Sequence, residues 1–318
     1  MKRTHEPYAN HSLKRLFQVL LLCLKMKKFI VLLFVIGLCI PNLKAQIAAN
    51  YSFPVVPVLA PALPDSMTFA GEYIDLTRSD LRERLDRELI SFCYMHATTL
   101  LVIKRANRYF PEVEPILKAC NLPDDFKYLM TIESNLIPTI KSPAGAVGLW
   151  QFMENTSKEY GLVVNTSVDE RYNTEKATRA ACAYLKKARQ ACGDWLSAAA
   201  AYNAGQQYIV SALRAQQESC AINLWLNNET SRYIFRILAI KLILENPEKY
   251  GFFLTREQLY APIRYERVKV SDSIADLVLF AKTHGIRYAE LKEANLWLRS
   301  NALENKSGRT YVIRIPKK

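Results

Sequence analysis

The sequence lacks the residue patterns by which metal and redox sites are usually recognised. It contains no C-x-x-C motif, and only His96 and His284 follow the first 45 residues. These shortages argue against a metal cluster, and the sequence implies no metal and no cofactor. Five cysteines follow residue 45, which is an odd number. A disulfide between Cys182 and Cys192 and a set of buried free thiols both agree with that count.

A basic run with interleaved aromatic residues is also missing, so we expect no nucleic-acid partner. The net charge of +13 is concentrated at the start, because the first 45 residues hold 8 basic residues and 1 acidic residue. The remainder holds 35 basic and 29 acidic residues, a balance of +6. That modest excess favours an anionic polymer or an envelope surface, although a solvated basic face explains it equally well.

No apolar run near the N-terminus is long enough to span a bilayer comfortably. Phe29–Ile40 is a run of 12 apolar residues that follows the basic Met26-Lys27-Lys28. This pattern is typical of a secretory signal peptide, and we expect a leader over residues 1–45, with Met26 as its true start after an upstream extension and cleavage after Ala45. An uncleaved membrane anchor over residues 16–40 is the alternative, opposed by the lysines inside it.

Residues 46–78 lack helical periodicity and contain four spaced prolines between 54 and 64, which predicts a linker or extended arm. Helical patterns begin at Ser79 and predict a helical domain over residues 79–255. Its predicted helices include 99–109 and 113–120, broken at Pro111, a long helix from 174 to about 191, an Ala-rich helix 195–204 and a helix from about 232 to 245.

One predicted helix, which begins near Pro123, carries a carboxylate on its apolar face. Phe126, Leu129, Met130 and Glu133 recur at helical spacing and share that face. Burial among apolar groups penalises the charged form of a carboxyl and raises its pKa, as a general acid near neutral pH requires. A glutamate at the end of an apolar stripe that is merely paired or reaches solvent is the ordinary alternative.

A Gly-containing loop and a short apolar segment follow this helix, which predicts a return of the chain across a cleft from Glu133. The sequence there reads Ser142-Pro143-Ala144-Gly145-Ala146-Val147-Gly148-Leu149-Trp150-Gln151-Phe152-Met153. Together with Glu133-Ser134 and Ala201-Tyr202-Asn203-Ala204-Gly205, in that order, it resembles the lytic transglycosylases of glycoside hydrolase family 23. Asp169-Glu170-Arg171 resembles a motif of the D-type subgroup of this family, whose members are membrane-bound murein enzymes.

The resemblance implies cleavage of the β-1,4 bond between N-acetylmuramic acid and N-acetylglucosamine in peptidoglycan glycan strands. It makes Glu133 the catalytic residue, first as acid and then as base toward the muramoyl C6 hydroxyl, which closes a 1,6-anhydro ring without a protein nucleophile. It implies substrate-binding roles for Ser142, Gln151, Met153, Tyr202, Asn203 and Tyr233.

Residues 263–318 change from helical patterning to a βααβ pattern and resemble a LysM peptidoglycan-binding module. Ser271-Asp272-Ser273 stands where Gly-Asp-Thr is usual, and residues 296–310 form a longer connection than is typical. We expect residues 265–318 to fold separately and to hold the enzyme on the sacculus. A degenerate module that only packs on the catalytic domain is the alternative.

The predicted fold class is therefore mainly α, with a lysozyme-like helical catalytic domain and a small α+β C-terminal domain. The resemblance implies an exported protein of the bacterial periplasm or cell envelope, with association to a membrane left open. A hydrolytic goose-type lysozyme and a non-catalytic peptidoglycan-binding protein are the alternative functions.

Overall fold

Helices make up most of the structure, a computed structural model that describes residues 59–317. The larger domain contains α1 (Ser79–Tyr94), α2 (His96–Ala119), α3 (Phe126–Ser134), α4 (Glu154–Glu159), α5 (Thr174–Cys192), α6 (Trp195–Ala204), α7 (Gln206–Gln216) and α8 (Asn228–Glu245). A β hairpin precedes these helices and a small βααβ domain follows them. The predicted class, mainly α with a small α+β C-terminal domain, is confirmed.

The hairpin occupies part of the segment that was predicted as a linker. β1 (Ser66–Phe69) pairs antiparallel with β2 (Glu72–Asp75) across an Ala70-Gly71 turn in which both residues have positive φ. Phe69 and Ile74 are buried in the core of the helical domain. The linker prediction is wrong for residues 66–75, because four-residue strands are too short to show a periodic pattern in the sequence.

Helix α2 is continuous, although the sequence predicted a break at Pro111. The helix runs through Pro111 and Pro115 without ending. Each proline removes one backbone donor and disfavours helix by about 3 kcal/mol. Val113 and Leu117 are fully buried in the core, so their packing offsets that cost.

Helix α6 is held at its N-terminus by groups from two parts of the chain. Asp194 accepts a hydrogen bond from the Ser197 amide at 2.7 Å. Glu72 of the hairpin accepts from the amides of Trp195 and Leu196 at 2.6 and 3.0 Å. A carboxylate at a helix N-terminus satisfies unpaired amides and complements the dipole. The hairpin therefore fixes where α6 begins. The helix spans Trp195–Ala204, as the sequence predicted.

Buried ion pairs fix α8 against the rest of the helical domain. Glu88 of α1 is 1% exposed and accepts from Arg232 of α8 at 2.8 and 3.0 Å. Lys241, further along α8, pairs with Asp125 just before α3 at 2.6 Å. Glu88 is buried, so its charge needs the partners Arg232 and Arg87, and the contact with Arg232 joins α8 to α1.

The C-terminal domain consists of β3 (Tyr265–Val270), α9 (Leu277–Thr283), α10 (Tyr288–Ala294) and β4 (Tyr311–Pro316). β3 and β4 pair antiparallel, with Val268 opposite Ile313. The predicted order of elements is confirmed. The sequence predicts the first of these helices over residues 274–284, capped by Ser271 and Asp272. Helix α9 begins later, at Leu277, because Asp276 caps it instead.

The hydrophobic core of this domain includes a residue from the larger domain. Val168, which lies between α4 and α5, is fully buried in the same cluster as Leu277, Leu291 and Ile313. An antiparallel bridge joins Val168 to Leu298. The expectation of a tail that is independent of the catalytic domain is therefore wrong in this respect, because a residue remote in sequence completes its core.

The five cysteines that the structure describes are all free. The disulfide between Cys182 and Cys192 is therefore not formed, and buried thiols are the outcome. Cys182 instead lies beside Cys120, and burial is the main cause that raises the pKa of its thiol. Within residues 59–317, no helix has the length and apolar character needed to cross a membrane. The predicted leader lies outside the described residues.

Candidate active site

Glu133 lies in the last turn of α3, on the face that packs against α8. The residue keeps some solvent exposure, but its carboxyl is enclosed by protein atoms. Burial raises the pKa of Glu133 to about 7, while the Tyr233 hydroxyl and the charge of Arg236 oppose that rise. Glu229 adds to it by charge repulsion. A carboxyl in this environment is half protonated near neutral pH and can donate a proton.

Tyr233 of α8 donates a hydrogen bond from its hydroxyl to Glu133 Oε1. Burial and the neighbouring carboxylate hold the pKa of Tyr233 well above its usual value, so the hydroxyl keeps its proton. The adjacent Arg232 is fixed by its ion pair with Glu88. The buried pair on one side of α8 therefore sets the position of the hydroxyl that orients Glu133.

The chain returns toward Glu133 through residues 142–153, which we call the cleft loop. Ser142 begins it with a tight turn, in which its hydroxyl accepts from the Ala146 amide at 3.0 Å and its own amide donates to the Ala146 carbonyl at 2.8 Å. Bridges join Val147 to Lys141 and to Phe152. The predicted return segment is therefore present, folded into a small β-like loop.

Gln151 has a positive φ of 48°, which side chains other than glycine rarely adopt. The side-chain nitrogen Nε2 of Gln151 donates to the Gly148 carbonyl at 2.9 Å and, more weakly, to the Ile140 carbonyl at 3.4 Å. A strained backbone held by its own side chain is a feature that clusters at functional sites. Among the described residues, no donor forms a hydrogen bond with the carboxamide oxygen of Gln151.

Tyr202 of α6 joins the cleft loop to the neighbourhood of Glu133. Its hydroxyl donates to the Trp150 carbonyl at 2.7 Å, and its ring packs edge-on against Tyr184. Burial and the nearby charge of Glu133 raise the pKa of Tyr202 well above its ordinary value. The structure thus links Tyr233 and Tyr202 to Glu133, and Tyr202 to the cleft loop at Trp150, the residue before Gln151.

The remaining predicted residues are placed less centrally. Met153 precedes α4 and is 43% exposed. Asn203 follows Tyr202 near the end of α6, is half-buried, and has no hydrogen bond from its side chain in the described residues. Ser142 uses its hydroxyl within its own turn. These three side chains lie in or next to the elements that form the cleft, but they do not contact Glu133 through any described hydrogen bond.

Two further residues shape the site, and the sequence did not single out their role. Asp169 accepts from the Arg171 guanidinium at 2.9 and 2.8 Å, and Arg171 donates to the carbonyls of Gly145 and Phe152, both at 3.2 Å. Arg171 is only 7% exposed. A planar guanidinium can hold two carbonyls and a carboxylate at once, so it fastens both ends of the cleft loop. The run Asp169-Glu170-Arg171 was noted in the sequence as a family motif. Its spacing does not reveal that Arg171 would bind the cleft loop.

The arrangement favours proton transfer by one carboxyl. Glu229 is the single other carboxylate that acts on the Glu133 pKa within the described chain, and it acts by charge repulsion alone. Residues 59–317 contain no group of three or more Cys, His, Asp or Glu side chains that could hold a metal ion. The site therefore combines a carboxyl that can act as a general acid, a hydroxyl that orients it, and a loop whose backbone is held by hydrogen bonds of its own.

Comparison with known families identifies both domains. Residues 116–224 match the family described as the transglycosylase SLT domain. The chain contains an SLT domain. This match confirms the predicted lysozyme-like catalytic domain, and it spans Glu133, the cleft loop and Tyr202, while Tyr233 lies beyond it. Residues 266–318 match the soluble lytic transglycosylase C-terminal LysM-like domain.

The chain is similar to membrane-bound lytic murein transglycosylase D of Escherichia coli K12, with 30% identity over 263 residues. That alignment covers 80% of this chain and 56% of the relative, so the chain spans little more than half of that protein's length. Peptidoglycan transglycosylase gp16 of Escherichia phage T7 is 42% identical over 76 residues, which is 23% of this chain and 6% of the phage protein.

Among solved structures, an inactive mutant of the lytic transglycosylase Slt from Pseudomonas aeruginosa is similar with a TM-score of 0.38 and 20% identity. The match covers 59% of this chain and 36% of that one, a similarity too weak to argue from.

Proposed function

We propose that this protein is a peptidoglycan lytic transglycosylase that cleaves the β-1,4 bond between N-acetylmuramic acid and N-acetylglucosamine. One observation carries the proposal: in an SLT domain, the Glu133 carboxyl is enclosed, has a pKa of about 7, and is oriented by Tyr233. An acid with its pKa near the working pH is the one requirement that a single-carboxyl mechanism places on the protein.

In the first step, protonated Glu133 gives its proton to the glycosidic oxygen, and the bond from that oxygen to the muramoyl C1 breaks. In the second step, the Glu133 carboxylate takes the proton of the muramoyl C6 hydroxyl while that oxygen forms a bond to C1. The product is a 1,6-anhydro sugar, and no water is consumed. The attacking hydroxyl belongs to the substrate, so effective molarity replaces a second catalytic carboxylate.

The other predicted residues have positioning and binding roles in this proposal. Tyr233 holds Glu133 through its hydroxyl, and Tyr202 holds the cleft loop through the Trp150 carbonyl. Gln151 and Asn203 offer amide groups suited to the acetamido and hydroxyl groups of the glycan. Ser142 and Met153 lie at the two ends of the cleft loop, where they would line the outer subsites.

We propose further that the LysM-like domain contacts the same polymer, and that the chain is exported to the periplasm or cell envelope. The printed names of the relatives, which refer to murein, peptidoglycan and a membrane-bound enzyme, support both statements. The basic and apolar pattern of residues 26–45 supports export by a cleaved signal peptide. N-terminal mass analysis of the protein from envelope fractions tests the cleavage after Ala45.

Digestion of purified sacculi, followed by mass spectrometry of the soluble fragments, tests the activity. We expect fragments that end in 1,6-anhydro-muramic acid and are one water lighter than the hydrolytic products. Reducing muramic acid ends would instead assign a goose-type lysozyme activity. Sacculi that bind the protein and release no fragments would assign a non-catalytic binding protein.

A further inference from the structure

Residues 163–172, between α4 and α5, contact the C-terminal domain on one side; we call this segment the strap. Val168 is buried in the C-terminal core and bridges to Leu298. The Ser167 carbonyl accepts from the Arg299 amide at 2.8 Å, and the Asp169 amide donates to the Trp297 carbonyl at 2.9 Å. The strap is therefore paired with residues 297–299 almost as an added strand would be.

On its other side the same strap holds the cleft loop. Asp169 fixes the Arg171 guanidinium, which donates to the carbonyls of Gly145 and Phe152. The contact is also sterically close, because a Cβ on Gly148 would come within 2.3 Å of the Arg171 carbonyl oxygen. Asp169 thus uses its backbone toward the C-terminal domain and its side chain toward the cleft.

The cleft loop in turn reaches the catalytic carboxyl. The Trp150 carbonyl accepts from Tyr202, whose ring also packs against Phe152, and Glu133 is close enough to Tyr202 for its charge to raise the pKa of that hydroxyl. The route from Trp297 to Glu133 thus consists of hydrogen bonds, the backbone between Trp150 and Phe152, and the charge contact of Glu133 with Tyr202. A contiguous set of packed polar groups of this kind is a physical route for coupling, provided that it is shown to couple.

The rest of the junction between the domains is packed less closely. A cavity of about 320 Å³ opens there, lined in part by Tyr109, Tyr172 and Tyr265. Outside the strap, ion pairs across the junction join Arg314 to Glu112 of α2 at 2.6 Å and Arg267 to Glu175 of α5 at 3.5 Å. The strap is therefore the part of the junction whose displacement would be felt at the cleft.

We propose that the C-terminal domain positions the cleft loop through Asp169 and Arg171, and so sets the catalytic rate even on glycans too short to reach it. This inference rests on the proposed lytic activity. It gives the domain a role in the reaction itself, in addition to any binding of the polymer. Asp169 and Arg171 are positioning residues here, since neither contacts Glu133.

The first test compares full-length variants on a short soluble glycan. Asp169→Asn removes the charge that holds Arg171, and Val168→Ala loosens the strap from the C-terminal side without changing Arg171. Because a shift of about 1 Å at a reacting centre can cost about 10²-fold, we expect kcat to fall at least about tenfold for Asp169→Asn and a few-fold for Val168→Ala. Glu112→Gln, the matched control, removes the charge of an ion pair across the junction outside the strap and keeps kcat within about twofold.

The second test is the pH profile, which a general loss of stability would not shift. If the cleft loop moves away, water reaches Glu133 and its pKa falls toward the ordinary value. Tyr233, Arg236 and Glu229 of α8 and Tyr202 of α6 face this carboxyl and are unchanged by the substitutions. The limb on which activity falls with rising pH should therefore move to lower pH in Asp169→Asn and Val168→Ala, and stay in place in Glu112→Gln.

Hydrogen–deuterium exchange of the full chain supplies a measurement that needs no activity. Amides of residues 140–153 should exchange faster in Asp169→Asn and Val168→Ala than in the native protein and Glu112→Gln. If both strap variants keep native exchange, native kcat and the native pH limb, the inference is overturned. A native protein with no lytic activity but strap-dependent exchange would overturn the proposed function and leave the coupling standing.

Discussion

Glu133 combines a sequence feature with a consequence that only burial creates. The apolar spacing placed it on the core face of α3, and the enclosed carboxyl has a pKa of about 7. Because the folded-state pKa is above the ordinary value, folding favours the protonated form. The carboxyl therefore costs stability as pH rises through the range from about 4.5 to 7.

Glu133→Gln should abolish lysis and stabilise the protein at alkaline pH. Loss of a general acid typically costs about 10² to 10⁴ in rate, and more when the group also acts as base. The free energy of unfolding should rise by up to about 3 kcal/mol at pH 8 and change little at pH 4, because each unit of pKa shift is worth about 1.4 kcal/mol. Turnover assays and urea titrations at both pH values measure these effects.

The matched control for this substitution is Glu159→Gln, an exposed glutamate of α4. It should keep native turnover and a native pH dependence of stability. Retention of more than about a tenth of native turnover by Glu133→Gln would remove Glu133 from the catalytic role, given those magnitudes.

Tyr233→Phe should move the falling limb of the pH–rate profile to higher pH. The Tyr233 hydroxyl donates to the Glu133 carboxylate and lowers its pKa, so its removal lets burial raise that pKa further above about 7. Arg236, Glu229 and Tyr202 stay in place around the carboxyl. The pH dependence of kcat/KM measures the shift. A limb that moves to lower pH would mean that the hydroxyl does not stabilise the charged form.

The cleft loop shows how much of an element depends on contacts that the sequence does not reveal. The Gly-Leu-x-Gln pattern identified the loop, and its turn-rich residues predicted a return toward Glu133. The partner of Gly148 was not predictable, because Arg171 is 23 residues away and meets it only in the folded chain.

Gly148→Ala should destabilise the protein and remove activity, while Gly145→Ala should be milder. Both glycines have positive φ, at 77° and 93°, so both substitutions cost about 1–2 kcal/mol of backbone strain. At Gly148 the new Cβ meets the Arg171 carbonyl, which adds about 1–3 kcal/mol of overpacking. At Gly145 it meets no atom within 4 Å. Thermal melts and turnover of the two variants make the comparison, and equal effects would contradict the close approach at Gly148.

The helices illustrate the same division. The starts of α5 and α6 followed from local caps, and the structure agrees with them. Helix α1 begins at Ser79 as predicted, but Ser79 is its first helical residue and no side chain caps it. Pro111 misled the prediction for α2, since tertiary packing outweighed a local penalty. Helix α7 was not predicted, because only Gly205 separates it from the end of α6.

The packing of the whole molecule does not follow the limits of the matched families. The hairpin contributes buried side chains to the main core and caps α6 through Glu72, although it precedes the SLT match. The strap lies inside that match, yet it completes the C-terminal core. Domain limits taken from sequence patterns would therefore cut through packed structure.

A chain that starts at residue 79, the predicted domain boundary, should be much less stable than one that starts at residue 60. The shorter chain loses Phe69, Ile74 and Leu76 from the core, each worth about 1.5–3 kcal/mol, against a typical total of about 5–15 kcal/mol. Circular dichroism melts of the two truncated chains measure the difference. Equal melting temperatures would mean that the hairpin is dispensable.

The sequence alone determined the helical class, the order of the domains, the candidate catalytic carboxyl and the cleft loop, because these follow from local periodicity, caps and short motifs. The tertiary structure decided the rest. The pKa of Glu133, the hydroxyl of Tyr233 that orients it, and the hold of Arg171 on the cleft loop each join residues that are 19 to 100 positions apart. The contribution of Val168 to the C-terminal core is of the same kind. Such contacts have no local signature, since they exist only after the chain has brought distant segments within a few ångströms of each other.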